Sequence, residues 1–112
     1  ERVVMMMSEE GEEVIPPPAA LLLVVPDGPL FLEAAEVGRL SRAVASTAVD
    51  YSERSLKAKM RAANRLGPRW VAIMNQEEAR RRVVQLKEMA GGEQREVGWD
   101  ELPAILEAEL TA

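Results

Sequence analysis

Apolar residues recur along this chain with two different periods. Ala19 to Val25 (AALLLVV) is a near-continuous apolar run of strand length, the pattern of a strand covered on both faces. Asp27-Gly28-Pro29 reads as a turn, with Asp27 available as a helix cap and Pro29 suited to a first helical turn. Leu30, Ala34, Val37, Leu40 and Val44 then recur every three or four positions and predict a helix to about Ala43. Ala45 to Tyr51 is short and β-biased. A second helix is predicted to end at Leu66, with Ser52 and Ser55 as its two possible N-caps and Gly67-Pro68 as left-handed cap and breaker.

Arg69 to Met74 (RWVAIM) is another apolar strand, and Asn75 to Arg82 is polar, a helical turn or loop. Val83 to Met89 and Glu93 to Val97 flank Gly91-Gly92, a hairpin signal. Trp99 to Ala112 closes with a helix that Asp100 can cap, that tolerates Pro103 in its first turn, and that has Leu102, Ile105, Leu106 and Leu110 on one face. The order β-α-β-α-β, hairpin, α predicts a three-layer α/β domain on a mixed sheet. Upstream, the apolar segment Val3 to Met7 sits among acidic residues, and Pro16-Pro17-Pro18 removes three backbone donors and favours an extended linker. The expected organisation is a preceding element over 1–15, a linker at 16–18 and the domain over 19–112.

Composition removes several chemistries. Among 112 residues there is no Cys and no His, which excludes thiolate zinc sites, disulfides, thiol nucleophiles, Ser-His-Asp catalysis and histidine metal ligation. The longest apolar run has seven residues, far short of the roughly 18–20 that span a bilayer, and no secretory leader is visible. A soluble, cytoplasmic protein is expected, and Glu1 in place of Met suggests a processed or truncated chain. The net charge of −5 argues at first sight against a nucleic-acid partner. Position reverses that inference. Residues 1–36 carry one basic and eight acidic side chains, 37–87 twelve basic and four acidic, and 88–112 one basic and seven acidic. A strongly basic middle therefore lies between two acidic flanks.

The helix within SERSLKAKMRAANRLG, residues 52–67, concentrates that charge. At about 100° per residue, Arg54, Lys57, Arg61 and Arg65 share one narrow stripe, while Leu56, Met60, Ala63 and Leu66 lie on another side; only Lys59 leaves the stripe. Four cations on one face, expected to lack acid partners, repel one another. A polyanion laid along the stripe offsets the repulsion, and phosphate contact is a common use of such a face; the competing reading is a solvated surface. Tyr51, at the strand end beside this helix, can stack on an unpaired base or cover the sheet edge. Trp70 belongs to the core. Arg80-Arg81-Arg82 reads as loop solubility or as pairing with Glu77 and Glu78. The paired glutamates form no pocket pattern, so no catalytic residue is assigned. Neither a glycine-rich phosphate loop nor metal-ligand spacing is present.

The stretch VDYSERSLKAKMRAANRLGPRWVAIMN resembles the strand–helix–strand centre of the anticodon-binding domain of histidyl-tRNA synthetases. In that family a D-x-x-x-R-S-L-K-x-x-x-x-x-A-x-x-L-G-x-x-x-x-x-I pattern recurs. Asp50, Arg54, Ser55, Leu56, Lys57, Ala63, Leu66, Gly67 and Ile73 occupy the matching places. Lys87 and Gly92-Glu93-Gln94 match a K-x-x-x-x-G-E-Q pattern in the closing hairpin, and ERVVMMMSEEG is similar to the end of motif 3 in class II synthetases. Two departures stand out: Asn75 and Arg82 occupy places where the family usually or often has glycine.

The resemblance implies a three-layer anticodon-binding fold, a mixed sheet of about five strands with helices on both faces. It implies an anticodon stem-loop of tRNA as partner, with Tyr51, Arg54, Ser55, Lys57, Arg61 and Arg65 as candidate contacts. Motifs 1 and 2 and the histidine-binding signatures are not in this chain. Catalysis, ATP and Mg would therefore belong to a catalytic domain in a homodimeric parent enzyme, where Arg2 would touch ATP. The alternative is a synthetase paralogue that no longer aminoacylates, such as the regulatory subunit of ATP phosphoribosyltransferase, whose role gives no reason to keep a basic stripe. An α/β interaction module without an RNA role is the third possibility.

Overall fold

A computed structural model describes residues Leu21–Thr111; the segments at 1–15 and 16–18 lie outside the described residues. Five strands form one sheet: β1 (Leu22–Pro26), β2 (Thr47–Val49), β3 (Trp70–Met74), β4 (Val83–Glu88) and β5 (Gln94–Gly98). Their spatial order is β2-β1-β3-β4-β5, so β2 and β5 are the edge strands. The first three strands run parallel, with Val24 opposite Val49 and Pro26 opposite Met74. β4 and β5 are antiparallel additions, with Val71 opposite Lys87 and Lys87 opposite Gln94.

Four helices accompany them among the described residues: α1 (Phe31–Arg42), α2 (Leu56–Leu66), α3 (Gln76–Arg80) and α4 (Leu102–Thr111). Alternate residues of the central strands feed two separate cores. Leu22, Val24, Ala72, Val84 and Leu86 pack with Ala34 and Val37 of α1 and Leu102 and Leu106 of α4. Leu23, Val25 and Val71 pack on the other side with Ala63, Met60 and Leu66 of α2. β1 is buried on both faces, which is why its sequence is continuously apolar rather than alternating. The three layers, the mixed sheet and the helices on both faces are those expected from the sequence.

Local chemistry explains most element ends, and corrects one. Gly67 ends α2 in the left-handed region at φ 70°, a conformation open to glycine at little cost. Asp27 does not cap α1. The N-cap is Leu30, three residues later and without a side-chain hydrogen bond, and the Asp27 backbone N–H donates to the Met74 carbonyl at 2.8 Å, closing the end of the sheet. Asn75, in the place of a family glycine, is extended and caps α3: its side chain accepts from the Glu78 N–H at 2.8 Å while Glu78 accepts from the Asn75 N–H at 3.0 Å. Arg82, the other departure, does occupy glycine territory, at φ 58°. Gly38 allows α1 to approach β2; a Cβ there would stand 3.0 Å from Val49 Cγ2.

Candidate nucleic-acid interface

The parallel strands set the site. The carboxyl ends of β1 and β2 point the same way, and the loops leaving them, Asp27–Leu30 and Asp50–Ser55, meet above the sheet. In open α/β sheets this is the end at which ligands are taken up. Asp50 anchors the second loop: it is 7% exposed, donates its N–H to the Val24 carbonyl at 2.9 Å, and accepts from the Ser52 N–H through Oδ1 at 2.9 Å. α2 starts from this end, where Ser55 Oγ accepts from the Ala58 N–H at 3.2 Å. Of the two serines expected as caps, Ser55 is the one used.

Arg54, Lys57, Arg61 and Arg65 are all exposed along α2 or at its start. Arg54 is not free of acid partners, contrary to the sequence expectation. Its Nη2 lies 3.5 Å from Asp50 Oδ2, four residues earlier, and its Nε donates to Ser52 Oγ at 3.2 Å. Lys57, Arg61 and Arg65 have no ion-pair partner among the described residues. Ser55 keeps its hydroxyl exposed beside them although its oxygen already serves the helix. Lys87, opposite Val71 in the sheet, belongs to the same side as α2.

Tyr51 stands 48% exposed beside Phe31, their ring centroids 6.3 Å apart and tilted by 46°. Phe31 lines a cleft of about 250 Å³ together with Gly28, Pro29, Ser52, Glu53, Arg54 and Lys59, and Tyr51 stands beside Phe31. Phe31 was not among the candidates expected from the sequence: it opens α1 next to the apolar spacing through Leu30, Ala34 and Val37 and falls outside it.

Nor was Lys59 among those candidates. This residue is 2% exposed, and its Nζ donates to the Pro26 carbonyl at 2.6 Å, across 33 positions of sequence. Burial lowers its proton affinity below the ordinary lysine value, while the charges of Asp50 and Asp27 act in the opposite direction. The helical angle already carried a signal, since Lys59 falls between Leu66 and Ala63 on the packed side of α2.

The second basic cluster divides three ways. Arg81 bonds Glu77 at 2.7 Å and Glu96 at 3.2 Å, Arg82 lies over the Trp99 ring, and Arg80 is exposed. Glu78 is taken up by the α3 cap and by Gln85 Nε2 at 3.0 Å, and holds no arginine. A larger cleft of about 590 Å³ lies at the opposite end of the sheet, where Glu88, Glu93 and Glu109 surround Arg95 and Trp70. Three carboxylates there disfavour a polyanion. Among the described residues no group of three or more His, Cys, Asp or Glu side chains is placed to hold a metal ion. No helix among the described residues is long and apolar enough to cross a membrane.

A five-stranded α/β module with a cationic helix beside an aromatic pair has close counterparts. Residues 23–109 match the family described as the anticodon binding domain, and the chain belongs to that family. Within it, the chain is similar to histidine–tRNA ligases: 37% identical over 73 residues to that of Bacillus velezensis, and 38% identical over 76 residues to that of Streptomyces coelicolor. These alignments cover 65% and 68% of this chain but only 17% and 18% of the relatives. The crystal structure of histidyl-tRNA synthetase from Nostoc superposes on 88% of this chain and 24% of its own, with a TM-score of 0.74 at 26% identity. The RNA-binding domain of threonyl-tRNA synthetase from Cryptosporidium parvum gives the same TM-score at 22% identity, covering 80% of this chain and 23% of its own, and so shares the fold. These relatives favour the histidyl-tRNA synthetase resemblance over the phosphoribosyltransferase regulator.

Proposed function

We propose that this chain is the part of a histidine–tRNA ligase that grips the anticodon stem-loop of histidine tRNA. Lys57, Arg61 and Arg65, joined by Arg54 and by the Ser55 hydroxyl, contact successive backbone phosphates, while Tyr51 and Phe31 stack on bases unpaired in the loop. The observation that carries this reading is the exposed stripe: three cations without ion-pair partners among the described residues, beside an exposed aromatic pair. Ligation itself, with ATP and Mg, belongs to a catalytic portion, whose ATP site Arg2 of this chain would join. A homodimer built by that portion, acting in the cytoplasm, completes the reading.

The test is binding of the isolated anticodon stem-loop of histidine tRNA to this chain across a salt series. Four phosphate contacts predict a slope of log K against log salt of about −3. Undetectable binding at low salt, or affinity independent of salt, overturns the reading.

A further inference from the structure

Lys59 is the group that the phosphate-gripping stripe does not explain. It sits at the centre of the packed side of α2, yet it also lines the cleft between the loops that follow β1 and β2. An ammonium has three N–H donors. One goes to the Pro26 carbonyl, and the other two have no partner among the described residues. Keeping a buried donor unpaired is costly, so a side chain in this position is suited to an acceptor arriving from outside.

The chemistry around it narrows the choice of acceptor. Glu53 lines the same cleft, and Arg54 in that lining is already paired with Asp50 at 3.5 Å. The carboxylates of Asp50 and Asp27 act on Lys59, and the Pro26 carbonyl points at the ammonium. A phosphate entering here meets negative charge and lone pairs. A neutral, flat heterocycle does not, and Phe31, also in the lining, offers it a stacking face. The volume, about 250 Å³, is below the usual range of about 300–1,000 Å³ for small-molecule sites and suits a single base. Two free donors side by side match two acceptors side by side. Of the two purines, which offer Phe31 the larger stacking face, guanine presents that edge, with O6 and N7, whereas adenine places an amino donor where guanine has O6.

We propose that the cleft takes one unstacked guanine and that Lys59 reads its O6 and N7. This rests on the reading of the chain as a binder of the anticodon stem-loop, and adds to it a residue that discriminates bases instead of gripping phosphates. The stripe supplies affinity common to any loop. Lys59 supplies preference.

The experiment measures dissociation constants of this chain for a panel of anticodon stem-loops in which each loop guanine is replaced in turn by adenine. With the wild-type chain, one position loses about ten- to a hundredfold in affinity, and 7-deazaguanine at that position, which lacks N7, loses an intermediate amount. With Lys59→Met, which keeps the length of the side chain and removes the ammonium, the penalty at that position disappears while the salt slope remains. A thermal melt establishes that the variant is folded. If Lys59→Met does not fold, the 7-deazaguanine arm still decides the matter with the wild-type protein. Absence of binding by the wild-type chain sinks the functional reading as a whole. Binding in which no guanine position is discriminated, or in which Lys59→Met keeps the same discrimination, overturns the base-reading role alone.

Discussion

Arg82 holds its guanidinium 4.5 Å above the Trp99 ring while its own backbone sits at φ 58°. The two facts pull in opposite directions. A left-handed conformation costs a residue with a Cβ about 1–2 kcal/mol, and a cation over an indole returns about 0.5–1 kcal/mol at exposed sites. The Arg82 carbonyl also accepts from the Trp99 N–H at 2.9 Å, which fixes this turn before β4. Arg82→Ala loses the stacking and keeps the strain, so it is less stable than wild type by about 0.5–1 kcal/mol. Arg82→Gly removes the strain as well and recovers about 1 kcal/mol relative to the alanine variant. Urea denaturation of the three proteins checks the order; a glycine variant less stable than the alanine variant refutes it.

Lys59 makes stability depend on pH with a definite sign. Its folded-state proton affinity lies below the ordinary value of 10.5, with burial as the leading cause. Between the depressed value and 10.5 the unfolded chain binds more protons than the folded one, so this residue's contribution rises with pH through that window. Below the window the penalty is present in full, and above it the penalty is gone. Lys59→Met has no such slope. Comparing urea midpoints near neutrality and at about pH 10, the stability of Lys59→Met relative to wild type falls as pH rises. A constant or growing difference contradicts a buried ammonium.

The four stripe cations are not equivalent. Lys57→Ala with Arg61→Ala removes two phosphate contacts and flattens the salt slope of stem-loop binding by about 1.5. Arg54→Ala flattens it less, because Arg54 already shares its charge with Asp50 at 3.5 Å. That variant instead strips a partner from a carboxylate that is 7% exposed, and its melting temperature falls below that of Lys57→Ala. Fluorescence anisotropy over a salt series, with melting curves for each variant, distinguishes the two behaviours.

Gly38 marks a close approach of α1 to β2. Gly38→Val places a branched side chain where even a Cβ would be 3.0 Å from Val49 Cγ2, and costs about 1–3 kcal/mol. Because α1 and β2 lead to the loop carrying Asp50 and Tyr51, loop binding weakens in the same variant. A variant as stable as wild type shows that the helix can shift freely.

The legible part of this fold was the part written in local periodicity. The unbroken apolar runs of β1 and β3, the glycines of the β4–β5 turn, and the Ser55 and Gly67 ends of α2 each carry their cause within a few residues. Asn75 with Glu78 was readable as well, since an acceptor followed three residues later by glutamate is a capping-box pattern, yet the expected glycine drew attention away from it. Asp27 misled because α1 begins only after Leu30, three residues beyond it, while the Asp27 backbone N–H is held by the Met74 carbonyl, 47 positions away. The same limit hid Lys59. Its angle placed it on the packed side, but only the Pro26 carbonyl, brought in by the sheet, explains why the ammonium stays there instead of extending to solvent. Long-range pairing decides such cases.

The two borders of the sheet constrain how this unit can be built into anything larger. β2 has three residues, and β5 presents Gln94, Arg95 and Glu96, all exposed. One border is too short to template an incoming strand and the other is charged, two recognised defences against edge-to-edge pairing. Association by strand addition is therefore disfavoured at both ends, for a neighbouring domain and for a second copy alike. Assembly falls to helices and loops, and the module can be presented at high local concentration without polymerising through its sheet.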